Sequence, residues 1–301
     1  MTEQKQVPPT PLSGIRYFQP LDGFRLTGRD GAVDLDLSGI PVPLLEEDFP
    51  AAIEAGGPDY DRTGRGIYQA LRINPDCAYS SSYADILKTS YPHIIAEIGG
   101  EVIMLDAKEV DAPYLDRKVA MLKIMALMEP DNAGLWREIG RTLMEKGSRL
   151  EASHQAVQSW YGAEQYLSRS LELAPSDIAT AYQSGEVHYV LGHYEKASEI
   201  WGGLLDSYHG GERRALESRI AEIKKGDVPK VPAVDYLTAL SVALEMHSNG
   251  DVGEAVAIIE DLLADPHFCV QFPMDGIYRF LERSYRDMGL NNAADEIRGR
   301  C

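Results

Sequence analysis

One spacing recurs along the second half of this chain: a glycine with an alanine five residues later. It reads Gly192-His-Tyr-Glu-Lys-Ala197, Gly250-Asp-Val-Gly-Glu-Ala255 and Gly289-Leu-Asn-Asn-Ala-Ala294. Apolar residues at helical spacing flank each copy, so each predicts the tight turn of a helix–turn–helix unit. A helix pair of that size cannot bury its apolar face alone and must stack on a neighbour. The spacing therefore predicts an all-α helical solenoid of antiparallel helix pairs. The usual product of that architecture is a binding surface, not a set of reacting groups.

Charge narrows the partners. With 29 basic against 47 acidic residues the formal charge is -18, which argues against a nucleic-acid ligand, because such a ligand needs a basic footprint. Hydrophobic residues make up 44% and charged residues 25%, which excludes the compositional signature of disorder. Cys77, Cys269 and Cys301 are odd in number and far apart, so neither a disulfide framework nor a Cys-pair metal site is indicated. The first residues lack an apolar signal core and no later run is long enough to span a bilayer. The expected setting is the reducing cytoplasm.

Along the chain, the polar, Pro-rich residues 1–12 read as a flexible tail. Residues 13–42 read as a β-hairpin cap over the first repeat. Phe24–Gly28 and Ala32–Leu37 flank Arg29-Asp-Gly31, and Val33, Leu35 and Leu37 alternate with Asp34 and Asp36. Residues 43–131 read as irregular helical repeats: 44–55, 60–73, a long segment 82–105 broken near Pro92, and 115–128. Residues 132–301 read as more regular repeats with an extra helix near 212–225.

Within that region the residues resemble the tetratricopeptide repeat family. The best copy is 178–210, where Tyr182, Gly185, Tyr189, Gly192, Tyr194, Ala197, Trp201 and Leu205 fall at the family's positions. Trp136, Ile139 and Gly140, with Ala163, Leu167, Leu171 and Pro175, match the preceding unit. Gly250, Ala255, Ile259, Leu263 and Pro266 match a later one, and Tyr278, Leu281, Tyr285, Gly289 and Ala294 the last. The resemblance covers roughly two thirds of the chain, and the repeats are degenerate: Pro75 to Pro130 runs about 21 residues over the 34-residue period, and Pro130 to Pro175 about 11 over. It implies that Gly185 marks a close approach of two helices, with Ala197 facing it. It also implies that the first helix of each unit lines a concave groove.

At those groove positions the last unit presents Arg279, Arg283 and Arg286 on one helical face, and an earlier unit presents Arg137 and Arg141. The unit between offers Tyr182, Glu186 and Tyr189. A guanidinium fork suits an acidic side chain or a C-terminal carboxylate, so these eight residues are the expected partner-binding set. The competing reading is that the arginines are solvated or pair with Glu282 or Asp287. The family's asparagine-containing carboxylate clamp is missing, so chaperone-tail binding is not implied.

Other surfaces are less specific. Residues 231–278 contain no Lys or Arg and eight acids, whereas 212–230 are basic, so two copies of the chain have the charge to pair as a homodimer. The long helix 150–173 carries His154, Val157, Trp160, Tyr161, Leu167 and Leu171 as an apolar strip that either packs internally or docks a partner. His188 and His193 lie five apart across a turn, and His267 lies near Cys269, but neither pair has a companion at metal-ligand spacing. No nucleophile elbow, phosphate loop or His-Glu-x-x-His is present. The expectation is a non-catalytic adapter, without cofactor or metal, holding a protein or peptide. A small-ligand regulator with a closed apolar pocket is the runner-up, and an enzyme built on residues 13–110 comes third.

Overall fold

All three repeated glycines occupy the left-handed backbone region in the computed structural model, with φ of 79° at Gly192, 95° at Gly250 and 76° at Gly289. Each closes the preceding helix in the same way. The glycine amide donates to the carbonyl three residues back (Tyr189, His247, Arg286) at 3.0–3.1 Å. The next amide donates five residues back, His193 to His188, Asp251 to Met246 and Leu290 to Tyr285, at 2.8–2.9 Å. This double bond pattern satisfies carbonyls that a helix end leaves open, and it needs a residue without a Cβ at the left-handed position. The alanine five on makes an early amide bond of the following helix, and Ala197, Ala255 and Ala294 are all fully buried.

The structure describes residues 8–28, 34–91, 93–106, 112–272 and 274–299, which divide into two units, one within 1–136 and one within 137–301. The first begins with four short strands, β1 (Ile15–Phe18), β2 (Arg25–Thr27), β3 (Asp34–Asp36) and β4 (Val42–Leu45). β1 pairs antiparallel with β4, Ile15 opposite Leu45 and Phe18 opposite Val42, and β2 pairs antiparallel with β3, Leu26 opposite Leu35. The expected turn at 29–31 and Val33 lie outside the described residues, as do residues 1–7 of the expected tail. The helix expected from Leu44 does not start there. Ile40 and Val42 each precede a proline, which steers them to extended backbone, and the strand buries Val42 and Leu44.

Helix α1 (Phe49–Glu54) follows, then α2 (Tyr60–Ile73), whose first turn is capped by Asp59 accepting from the Arg62 amide at 2.8 Å. Gly66 lets α2 lie directly on β4: a Cβ there would stand 1.9 Å from the Pro43 carbonyl oxygen. α3 (Ser80–Ser90) joins the strands through Tyr83, whose hydroxyl donates to the Pro41 carbonyl at 2.6 Å. The long apolar segment divides between α3 and α4 (Ile94–Asp106), and Pro92 itself is outside the described residues. α5 (Ala112–Met128) packs on α2, α3 and α4 and buries Leu115, Met121 and Ile124.

α6 (Ala133–Gly147) carries the chain into the second unit. There a 3-10 turn at Leu150–Gln155 leads to α7 (Ala156–Leu173), α8 (Ile178–Val190), α9 (Tyr194–Leu204) and α10 (Gly210–Lys225). α11 (Ala233–Asn249), α12 (Val252–Leu263), α13 (Pro266–Gln271), α14 (Met274–Asp287) and α15 (Asn291–Arg298) complete it. The pairs α8–α9, α11–α12 and α14–α15 enclose the three glycine turns. Their order in space departs from a simple stack. α10 packs on α9, while α11 packs back on α7 and the 150–155 turn. The chain returns from α10 beside the first turn, where Pro232 would stand 2.6 Å from a Cβ at Gly192. Two cores result. A large one joins α7, α8 and α11–α15, and a small one unites Ala197, Trp201, Leu216 and Ile220.

Candidate functional site

Tyr182, Glu186 and Tyr189 recur at helical spacing on α8, and the structure brings them together over Trp201 of α9. The Tyr182 and Tyr189 rings lie 6.3 and 5.9 Å from the Trp201 ring, and the indole N–H donates to the Tyr182 carbonyl at 3.3 Å. Gly185 makes room for that indole, whose Nε1 would be 2.1 Å from a Cβ at this position. Trp201 is thus the residue whose side chain lies nearest Gly185. Counting outward from the Gly192 turn does not single it out, because Gly185 lies seven residues before that glycine, midway between Ala197, five after, and Trp201, nine after; the reach of the indole does.

The face is not open. Arg219 of α10 reaches over it, forms an ion pair with Glu186, and places its guanidinium 4.2 Å from the Trp201 ring centre and 5.1 Å from that of Tyr189. Burial works against the charge, but the Glu186 carboxylate outweighs it and holds the Arg219 pKa above its ordinary value. Burial, reinforced by Glu186, likewise raises the Tyr182 phenol. In the sequence Arg219 is legible only as one cation in a basic run, because nothing local reveals which way α10 folds. Two clefts flank the pair. One of about 500 Å³ has Trp160, Tyr189, Val190, Leu237 and Phe272 in its walls, and one of about 360 Å³ is lined by Tyr182, Tyr208 and Leu216.

Both partners of the pair keep roughly a quarter to a third of their side-chain surface in water. Arg219→Ala should therefore cost about 2 kcal/mol, between the values for exposed and for fully buried pairs. A denaturant double-mutant cycle with Glu186→Gln should recover about 1 kcal/mol of coupling. Additive single variants would mean that the two charges do not act on each other.

The other selected arginines divide into two kinds. Arg137 binds Asp177 at 2.8 Å, and Asp177 also caps α8 and accepts from Thr180 at 2.7 Å. Burial opposes ionisation of Asp177, but Thr180 and Arg137 hold its carboxyl below the usual range. Arg141 binds Glu138 one turn back. On α14, Arg286 bridges Glu282 and Asp295 at 3.1 Å each. Arg279 and Arg283 are exposed, and neither forms an ion pair among the described residues. Of the eight positions, these two alone present a guanidinium that the described residues leave uncommitted.

In the first unit a cleft of about 440 Å³ opens beside Tyr60, Arg65, Tyr68, Tyr91 and His93. The Tyr60 and Tyr91 rings stack at 4.4 Å there. Cys301 lies outside the described residues.

The histidine pair at 188 and 193, without a companion in the sequence, acquires one from the fold. Glu164 of α7 brings a carboxylate oxygen 3.5 Å from His188 Nδ1, and His193 Nδ1 lies 3.4 Å from the same nitrogen. Packing register carries the missing signal. The Ser170 and Thr180 hydroxyls meet at 3.4 Å near the α7–α8 turn. Six residues back along α7 and eight forward along α8 lead to Glu164 and His188. Compared with known protein families and with characterised proteins, the chain matches none.

Proposed function

We propose that this chain is a non-catalytic binding protein of tetratricopeptide type that holds an anionic peptide segment against α14. Arg279 and Arg283 carry the reading. They stand four residues apart on one helix, both are exposed, and neither has a carboxylate partner among the described residues, in a chain whose net charge is -18. Two forks at that spacing match successive acidic side chains, or an acidic side chain followed by a free C-terminal carboxylate. The repeated glycine turns supply the helical frame that such proteins use. Arg137, Arg141 and Arg286 serve that frame through their internal ion pairs, and Glu186 is engaged by Arg219.

The test is fluorescence anisotropy of the full chain with a glutamate-rich peptide bearing a free C-terminus, beside the variant Arg279→Ala/Arg283→Ala. Two charge-assisted hydrogen bonds amount to about 3 kcal/mol, so the double variant should bind roughly 100-fold more weakly. Equal affinity for variant and wild type would remove α14 as the contact.

The cleft of about 500 Å³ favours a second reading, in which a small ligand sets its apolar part against Trp160, Tyr189 and Phe272 and its polar part against Glu186 and Arg219. A melting shift produced by a small molecule and abolished by Arg219→Ala would support it.

A further inference from the structure

The three glycine turns are alike in backbone but not in the side chains that clasp them. A turn of this kind brings the residue four before the glycine against the residue just after it, and that contact is commonly apolar. In α14–α15 the two positions hold Tyr285 and Leu290, and in α11–α12 Met246 and Asp251. In α8–α9 both are imidazoles, His188 and His193, with ring centres 5.6 Å apart. Gly192 and the His193 amide bond to the His188 carbonyl fix the backbone beneath them.

We propose that Glu164, His188 and His193 form a three-ligand site for a divalent transition-metal ion of the zinc class. The Nδ1 atoms of the two histidines are 3.4 Å apart, and the nearer Glu164 oxygen is 3.5 Å from His188 Nδ1. Ligand atoms at bond lengths of 2.0–2.1 Å around a tetrahedral ion are separated by about 3.3–3.4 Å, so two edges of the tetrahedron already have the right length. All three ligand atoms lie within 4.8 Å of one another, so the third edge closes with a rotation of exposed His193. Such an arrangement is held either by an imidazole N–H shared between two of these atoms or by a metal ion.

The environment favours the ion. His188 is only 2% exposed, and its Nδ1 is held between the Glu164 carboxylate and the His193 ring. Two imidazoles and a carboxylate suit zinc, cobalt or nickel better than magnesium or calcium, which prefer oxygen ligands alone. The site opens on a groove of about 740 Å³ whose lining includes Glu195, Glu199 and Lys196. With Glu164 the carboxylates outnumber the ammonium three to one, so the local charge admits a dication. A fourth position remains for water or a ligand atom from the groove. The ion would tie α7, α8 and the start of α9 together at one point.

The decisive experiment titrates untagged, chelator-treated full-length protein with cobalt(II), read by its visible d–d absorption, followed by zinc competition. The expected result is one tight equivalent with a tetrahedral spectrum and a zinc-dependent rise in Tm. His193→Ala alters an exposed side chain and Glu164→Gln keeps the shape of its side chain, so circular dichroism should show both variants folded. Each should bind at least about 100-fold more weakly, beyond the loss that outer-shell changes produce. No saturable equivalent in the wild type would overturn the site and leave a shared proton between the histidines. Retention of wild-type affinity by either variant would overturn the three-ligand assignment.

Discussion

Gly66→Ala is expected to destabilise the first unit by about 3 kcal/mol, although alanine is normally the better helix former by about 1 kcal/mol. The sign turns on what the new methyl meets. At Gly66 it would stand 1.9 Å from the Pro43 carbonyl oxygen and 2.9 Å from the Leu44 Cα, both backbone atoms of β4. A backbone strand cannot rotate aside as a side chain can, so α2 and β4 must separate by roughly 1 Å, and packing along the whole contact is lost. Gly100 in α4 provides the internal comparison. It is exposed, and beyond its own helix backbone nothing among the described residues comes within 4 Å of the place a methyl would take, so Gly100→Ala should follow propensity and stabilise by up to about 1 kcal/mol. Urea denaturation of the two variants should move the midpoint in opposite directions. Midpoints moving together would mean that β4 does not rest on α2.

Ala197→Arg should be at least as damaging. Ala197 is fully buried in the small core with Trp201, Leu216 and Ile220. The added volume forces α9 from its neighbours, and the charge arrives where carboxylate partners are lacking among the core residues. Overpacking and desolvation together should cost on the order of 4 kcal/mol. For a unit of this size that is a fall in Tm of roughly 10 °C. Gly202→Arg adds the same side chain to the same helix at an exposed position with nothing within 4 Å, so it should leave Tm nearly unchanged or slightly raised. An unaltered Tm for Ala197→Arg would dispose of the small core as described.

These two sites also mark what can be read without coordinates. The glycine turns are legible because their cause is local: a left-handed residue must lack a Cβ, and the buried alanine follows at fixed distance. The strand at 42–45 reads as helix when its apolar residues are weighed without the prolines that steer Ile40 and Val42 to extended backbone. That Gly185 meets Trp201 follows from the reach of the indole, and that His188 meets Glu164 from counting residues outward from a turn, steps that need the packing partner named first. The reach of Arg219 over Tyr189 and Trp201 has no local sign at all. It depends on α10 packing on α9 while α11 turns back to α7, which is decided by the fit of one helix surface to another. Hence Tyr182, Glu186 and Tyr189 stand out as a cluster while their own occupant does not. On α14 the two uncommitted arginines cannot be told from Arg286 until Asp295 on the next helix is placed.

The pairing of β1 with β4 sets an order on how the first unit assembles. It joins residues 24 to 30 positions apart, while each helix forms from neighbours within a single turn. The entropy lost in closing a flexible loop grows with its length and must be met before the strand contacts give anything back. Because β2 and β3 pair inside that loop, roughly half its residues are already withdrawn from it, which lowers the closure cost by about 0.6 kcal/mol. The inner ribbon thus acts as a zip that shortens the search for the outer one, and α2, meeting β4 at Gly66, offers the closing strand a surface on which to land.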